Sequence, residues 1–222
     1  KFQGYKDEDI YFMSPLAIST GVDAQPTLAN LERALTVWCK EQVQDVTLYL
    51  VGEGSPGSFR MNATEQLAAS DLDFWLDDLQ TVLPGKVTLV FDANYSGGFL
   101  PMLTPPYGKQ RLLLASASPT QNASFLAQGN LCFSQFFWQR IMNGATLSKA
   151  FMYASQAMNY CSRTQTAQLD DNGNGTANEK SDGTASSYYG LGSGILLAGD
   201  DPIVGAVCPP IVLEGGTSAT LW

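Results

Sequence analysis

The chain has 222 residues and a formal net charge of −9, because 21 acidic residues outnumber 12 basic ones. This charge argues against nucleic acid or an anionic membrane as a partner, since both present negative groups that would repel it. No run of residues reaches the length of a transmembrane helix, so membrane insertion is not expected. Histidine is absent from the whole sequence, which excludes every mechanism that depends on an imidazole base within this chain.

The predicted elements begin with a short extended run at Ile10–Ser14. A helix is predicted within Pro26–Val43, where apolar residues recur at helical spacing and Thr27 is the expected N-cap. Asp45–Gly52 is an apolar, partly β-branched run of strand length that ends at a glycine. Ser70–Leu83 then has the buried stripe of a second helix.

Two more near-continuous apolar runs, Lys86–Phe91 and Arg111–Ala115, are typical of parallel strands covered on both faces. Ala123–Met142 contains an aromatic-rich helix, and Leu147–Tyr160 predicts another. Strands that alternate with helices predict an α/β fold, a three-layer α/β/α sandwich with a mostly parallel sheet. Functional groups gather at the carboxyl ends of strands in such folds. We therefore expect the site in the loops that follow Val51 and Phe91.

The last part of the chain changes in character. Ile195–Ala198 predicts a closing strand, and Pro202–Trp222 has the short apolar runs and Pro/Gly turns of β-structure. We interpret residues 1–204 as one domain and residues 205–222 as the link to, or start of, a β-sandwich domain of the same polypeptide. The first residues resemble the end of a helix, so a strand and a helix are expected upstream.

Several segments carry a resemblance to a known family, above all LYLVGEGSPGSF, LVFDANYSGGFL and QLDDNGNGTANEKSDG. From about residue 4 to about residue 204 the chain resembles the caspase-like domain of bacterial legumain-type cysteine peptidases. That family is marked by a strand ending in His-Gly and a later strand ending in Asp-Ala-Cys-Tyr-Ser-Gly. The resemblance implies the caspase-like variant of the α/β/α sandwich, in a bacterial protein that is secreted, periplasmic or on the cell surface.

Mapped onto this sequence, the family's catalytic histidine position holds Glu53 and its cysteine position holds Asn94. The family needs a thiolate as the nucleophile, whereas an amide is not nucleophilic at neutral pH because its nitrogen lone pair is delocalised into the carbonyl. The resemblance therefore implies a pseudopeptidase, a peptidase homologue without proteolytic activity.

The surroundings of the two lost residues are retained, which implies that a cleft could still bind a peptide or a protein segment. Glycines on both sides allow a sharp turn and close backbone approach, and Gly97–Gly98 would expose a backbone N–H of the kind that forms an oxyanion hole. A vestigial cleft, with glycines that only preserve the fold, is the alternative. The cleft residues implied by the resemblance are Gly52, Gly54, Asp92, Gly97, Ser116 and Ser118.

A second pattern, at residues 170–182, matches the first half of a D-x-[DN]-x-[DN]-G calcium loop. The usual glutamate at the twelfth position is replaced by Ser181, for which Glu179 or Asp182 is the alternative ligand, and two amides stand in place of carboxylates. A polar surface turn without an ion is the alternative, and micromolar or weaker affinity is expected. The candidate ligands are Asp170, Asn172, Asn174, Thr176, Asn178 and Asp182.

The function predicted from the sequence is a binding, regulatory or structural module of a larger protein. The competing prediction is an enzyme, either one that uses Glu53 and Asp92 as an acid–base pair or a peptidase inactivated by engineering at the two catalytic positions. The four cysteines have no CxxC spacing, which argues against zinc. Their spacing leaves both disulfides and free thiols open at Cys39, Cys132, Cys161 and Cys208.

Overall fold

A computed structural model gives the structure of the protein, and it describes residues 3–16, 20–41 and 43–192. The α-helices are α1 (Leu28–Thr36), α2 (Ala69–Val82), α3 (Phe133–Met142) and α4 (Leu147–Cys161). The strands are β1 (Val46–Gly52), β2 (Gly54–Ser55), β3 (Ser58–Arg60), β4 (Gln66–Ala68), β5 (Val87–Ala93), β6 (Arg111–Ala115) and β7 (Gln168–Asp170).

The main sheet has the strand order β1-β5-β6-β7. The first three strands are parallel, and β7 pairs antiparallel with β6. The fold is therefore α/β with a mostly parallel, mixed sheet, which confirms the predicted class. Among the described residues β1 lies at the sheet edge, where Leu48, Tyr49 and Val51 stay half-buried. Apolar residues on an exposed edge favour pairing with a further strand, and the upstream strand stays a prediction.

Helices cover the main sheet on both faces, because side chains of the central strand alternate between two apolar clusters. Leu89 and Phe91 belong to the cluster that includes residues of α1 and α2, whereas Val90 belongs to the cluster of α3 and α4. All seven residues of β5 are buried, as a parallel strand covered on both faces requires. No helix in the described ranges is long and apolar enough to cross a membrane.

The structure differs from the sequence prediction in three places. Helix α1 ends at Thr36, not near Val43, and a short 3-10 turn follows it. Strand β7 at Gln168–Asp170 was not predicted, whereas the extended run predicted at Ile10–Ser14 contains an isolated bridge between Met13 and Ala24. Residues 54–68 contain a second antiparallel sheet, β2-β3-β4, that the sequence did not predict. The strand predicted at Ile195–Ala198 and the β-segment Pro202–Trp222 lie outside the described residues.

Candidate functional site

The carboxyl ends of β1 and β5 lie side by side, so the two loops expected to hold the site do meet. Gly52 at the end of β1 is in register with Ala93 at the end of β5. Glu53 and Asn94 therefore follow neighbouring strand ends. A Cβ atom at Gly54 would lie 2.1 Å from the Asn94 carbonyl oxygen, so a glycine is needed where β2 crosses that loop.

The side chain of Asn94 has a structural hydrogen bond. Its Oδ1 accepts from the backbone N–H of Ala123 at 2.9 Å, and the residue is half-buried. The next residue, Tyr95, has the left-handed φ of 58° and donates its N–H to the carbonyl of Gln121 at 2.8 Å. The amide thus fastens the 94–95 turn to the loop after β6, a role that a thiol would perform poorly because sulfur is a weak acceptor.

Glu53 is held by the small sheet. Its Oε2 lies 2.5 Å from Nη1 of Arg60, and its carbonyl accepts the Arg60 backbone N–H at 2.9 Å. Arg60 Nε donates to the carbonyl of Asn62 at 3.2 Å, which orients the guanidinium. The Glu53 side chain is 53% exposed, so the carboxylate remains accessible to solvent and to a ligand.

A cavity of about 340 Å³ opens between Glu53 and the small sheet. Its lining residues include the acidic Glu53 and Glu65 and the basic Arg60, together with uncharged polar residues such as Ser55 and Gln66. Two acidic groups face one basic group, so the cavity has an excess of negative charge.

Asp92 lies in the interior, beneath the predicted cleft. Its Oδ2 accepts from the Ser134 N–H at 2.9 Å and from the Ser134 hydroxyl at 2.6 Å. Burial raises the pKa of Asp92, while the bonds from Ser134 lower it. Asp92 and Ser116 are both 0% exposed. Neither side chain reaches the surface of a cleft, and their predicted role as cleft residues does not agree with this placement.

The backbone N–H groups expected near Asn94 are already bonded. Gly97 N–H donates to the Ala117 carbonyl, and Gly98 N–H donates to the Tyr95 carbonyl, both at 2.9 Å. The prediction of an exposed N–H at Gly97–Gly98 is therefore wrong. The close approach predicted for the glycines beside Glu53 is found at Gly54, and Gly97 shows a similar approach that was not predicted, because a Cβ there would lie 2.7 Å from the Ala117 carbonyl oxygen. Ser118 is half-buried in the loop that follows β6.

The two buried cysteines among the described residues offer no activated thiol. Burial, and then the charge of Asp92, raise the pKa of Cys132 to about 12, and burial raises the pKa of Cys39 to about 11. Cys161 is exposed at the end of α4. All three are free thiols, and a buried thiol with a raised pKa is inert as a nucleophile.

The loop at residues 170–182 is closed by its own hydrogen bonds. The Asp170 carboxylate accepts the N–H groups of Gly173 and Gly175, each at 2.8 Å. Asn172 Nδ2 donates to Asp182 Oδ1 at 2.9 Å, and Asn174 Nδ2 donates to a Glu179 oxygen at 2.5 Å. Within the described ranges no three His, Cys, Asp or Glu side chains form a group that could hold a metal ion.

The remaining candidate ligands fix the loop to the sheet. Asn178 Oδ1 accepts the Leu169 N–H at 3.0 Å, and Asn178 Nδ2 donates to the Ala167 carbonyl at 2.9 Å, so this amide serves β7. Thr176 donates its N–H to Asn174 Oδ1 at 2.8 Å. This bond does not involve the Thr176 carbonyl, which is the group that the motif would use as a ligand.

Sequence reasoning missed Arg60, which the structure brings to Glu53. The available signal was weak, because a single arginine seven residues after Glu53 can lie anywhere on a short hairpin.

Comparison of the chain with models of protein families and with curated proteins gives no match.

Proposed function

We propose that this protein is a catalytically inactive homologue of caspase- and legumain-like cysteine peptidases that binds peptide or protein segments at the ends of β1 and β5. It would serve as a binding module of a larger secreted or surface-attached bacterial protein. The observation that carries the proposal is the placement of Asn94. Its amide stands at the strand end where the resembled family has its nucleophile, and it is bonded to Ala123.

The chemistry of the neighbouring groups supports the absence of cleavage. An amide does not attack a carbonyl, and no histidine exists in the 222 residues to activate water or a thiol. Glu53 is paired with Arg60, and its side chain is 53% exposed, so the carboxylate can also contact a cationic group of a ligand. The exposed carboxylate and the adjoining cavity suit recognition better than catalysis.

The enzymatic alternative, an acid–base pair of Glu53 and Asp92, has less support. Asp92 is fully buried and its carboxyl is bonded to Ser134, so substrate would have to displace α3 to reach it. A general base must come within hydrogen-bond reach of the proton that it removes. Glu53 and Asp92 do not share an accessible surface.

Incubation with a peptide library and a thiol-reactive peptidyl inhibitor, with and without calcium, tests the proposal directly. We expect no cleavage and no covalent labelling at Asn94, together with binding of a subset of peptides on an array. The Asn94→Ala variant is the matched control, and it should be as inactive as the native chain. Sequence-selective cleavage by the native chain that Asn94→Ala or Glu53→Gln abolishes would contradict the proposal.

Calcium binding by the 170–182 loop is a second proposal. Desolvation and the charges of Asp170 and Asp171 raise the pKa of Asp182, although a hydrogen bond from Glu179 lowers it. A dication would relieve this crowding of acidic groups. Asp170, Asp182 and the oxygens of Asn172 and Asn174 would hold it, after the two amides turn away from their carboxylate partners.

Thermal unfolding in the presence of millimolar calcium or magnesium tests the second proposal. We expect calcium, and not magnesium, to raise the unfolding temperature, and Asp182→Asn to remove the effect. Asp78→Asn on α2 is a matched control that removes an acid elsewhere. Equal shifts with both metals, or a calcium shift that survives in Asp182→Asn, would contradict a calcium site in this loop.

A further inference from the structure

The cavity beside Glu53 has a composition that identifies a class of ligand. We propose that it is a subsite for one basic side chain, arginine above lysine, of a peptide bound at the ends of β1 and β5. This inference rests on the proposed binding function and adds the chemical class of the bound residue. It is argued from the charges, the size and the exposure of the cavity wall.

The charge of the cavity favours a cation. Glu53 and Glu65 contribute two carboxylates, whereas Arg60 contributes one guanidinium. Asn62 Nδ2 donates to Glu65 Oε2 at 2.5 Å, so one amide and one guanidinium hold the two acids in place. A guest cation would bring the cavity to neutrality, whereas an acidic guest would add to its excess charge.

Arg60 already shows which kind of group the Glu53 carboxylate accepts. The guanidinium is anchored from one side by its Nε bond to the Asn62 carbonyl and reaches Glu53 through Nη1 only. It therefore makes a single contact with Glu53 and not the two-bond fork that arginine and a carboxylate can form. A guest arginine that approaches from the open side can supply such a fork.

The size and position of the cavity suit one side chain of a longer segment. A volume of about 340 Å³ lies at the lower end of the roughly 300–1,000 Å³ typical of ligand pockets. Ser55 and Gln66, both exposed, stand at its margin and offer uncharged hydrogen-bonding groups to a peptide. Gly54, which lines the cavity, also packs against the Asn94 backbone, so the cavity lies beside the strand end that holds Asn94.

Arginine is preferred to lysine on geometric grounds. The guanidinium is planar, more weakly hydrated than an ammonium group, and forms parallel hydrogen bonds with a carboxylate. An ammonium group offers the same charge as a compact point and loses more hydration in a polar, partly open cavity. The net charge of −9 additionally favours the approach of basic peptides at low salt.

Binding to a hexapeptide array, scanned at each position with arginine, citrulline, lysine, aspartate and alanine, provides the test. Citrulline is the informative comparison, because it keeps the shape of arginine and lacks the charge. For the best arginine peptide we expect the citrulline form to bind about tenfold more weakly, as for the loss of one charge-assisted contact. The difference should shrink between 50 mM and 500 mM salt.

Two variants locate the effect in the cavity. Glu53→Gln should weaken the arginine peptide about tenfold and leave the citrulline peptide unchanged. Arg60→Gln should tighten the arginine peptide, because it removes the competing internal cation. Asp45→Asn, which breaks the Asp45–Lys86 pair at 2.7 Å beside the opposite end of β1, is the matched control and should change neither affinity.

The outcomes separate this inference from the proposed function. Peptides that bind with equal affinity in arginine and citrulline forms would overturn the basic subsite and leave the binding function intact. An array on which nothing binds would overturn both. An arginine preference unaffected by Glu53→Gln would also refute the assignment to this cavity. Circular dichroism checks that Glu53→Gln and Arg60→Gln are folded, as expected for changes at partly exposed side chains.

Discussion

The substitution Asp92→Asn probes the buried carboxyl beneath Asn94. Oδ2 of Asp92 accepts two hydrogen bonds from Ser134, whereas Oδ1 has no hydrogen-bond partner among the described residues. Ser116 Oγ, which lies beside this carboxyl, also has none. In the variant, the amide oxygen keeps the bonds from Ser134, and the amide nitrogen can donate to Ser116. The change removes a buried charge without creating a cavity.

We expect Asp92→Asn to stabilise the protein at pH 8 by about 1–2 kcal/mol. An unsatisfied buried polar group costs about 1–3 kcal/mol, and a new hydrogen bond to Ser116 contributes about 1 kcal/mol. Against this gain, the bonds from Ser134 lose their charged acceptor, and charge-assisted bonds are roughly twice as strong as neutral ones. The loss is about 1–2 kcal/mol, so a moderate net gain remains.

The gain should depend on pH in a definite direction. Burial raises the pKa of Asp92 in the folded state, so the folded protein holds this proton more tightly than the unfolded chain does. The stability contributed by the protonated group is fully present below the unfolded pKa of about 3.9. It is lost as the pH rises through the higher folded pKa. The variant lacks this titration, and its advantage should grow from near zero at pH 4 to its full value at pH 8.

Urea unfolding followed by tryptophan fluorescence at pH 4, 6 and 8 measures the effect. Glu32→Gln, an exposed change of the same chemistry on α1, controls for the loss of one negative charge from an acidic protein. A variant that is less stable than the native chain at pH 8 would refute the reasoning. So would a stability difference that is the same at all three pH values.

Three further predictions concern buried contacts. Arg111 is fully buried against Gln80, Asp73 and Asp77. The substitution Arg111→Ala should lower the free energy of unfolding by about 3–5 kcal/mol, as measured by urea unfolding. Gly54→Ala should destabilise by about 1–3 kcal/mol because of overlap with Asn94, whereas Gly98→Ala, which meets only ordinary contacts, should change the unfolding midpoint little. Iodoacetamide at pH 7.5 should label Cys161 in the native protein and should label Cys132 only after unfolding. Peptide mass spectrometry measures the labelling, and fast labelling of Cys132 in the native protein would contradict its raised pKa.

The three parallel strands of the main sheet could be predicted because they are long apolar runs. Lys86–Phe91 was predicted and Val87–Ala93 is observed, while Arg111–Ala115 was predicted with its observed bounds. The small sheet could not be predicted in this way. Its strands have two or three residues each, and their pairing depends on tertiary contacts that no periodicity records. The antiparallel direction of β7 is equally invisible in three residues.

The site was predictable in its backbone and not in its side-chain contacts. Parallel strands of similar length end together, so the sequence brings Glu53 and Asn94 to one edge of the sheet. The sequence does not show which face of the sheet the Asp92 side chain points to, because all residues of β5 are buried and no alternation of polar and apolar residues marks the two faces of the strand. The partner of Glu53 was hidden for another reason, since Arg60 reaches it through the small sheet that the sequence did not reveal.

The contacts around Asn94 explain why the backbone shape of this strand end is independent of the side chains at positions 53 and 94. Its shape depends on the absence of a Cβ at Gly54 and Gly97, where backbone oxygens would lie 2.1 Å and 2.7 Å away. Neither contact involves the side chain at position 53 or 94. A substitution at either position therefore leaves the turn geometry in place, provided that the hydrogen-bonding groups of the new side chain have partners. Asn94 meets that condition through Ala123 and Glu53 meets it through Arg60, and the second pairing also leaves an open carboxylate for a ligand.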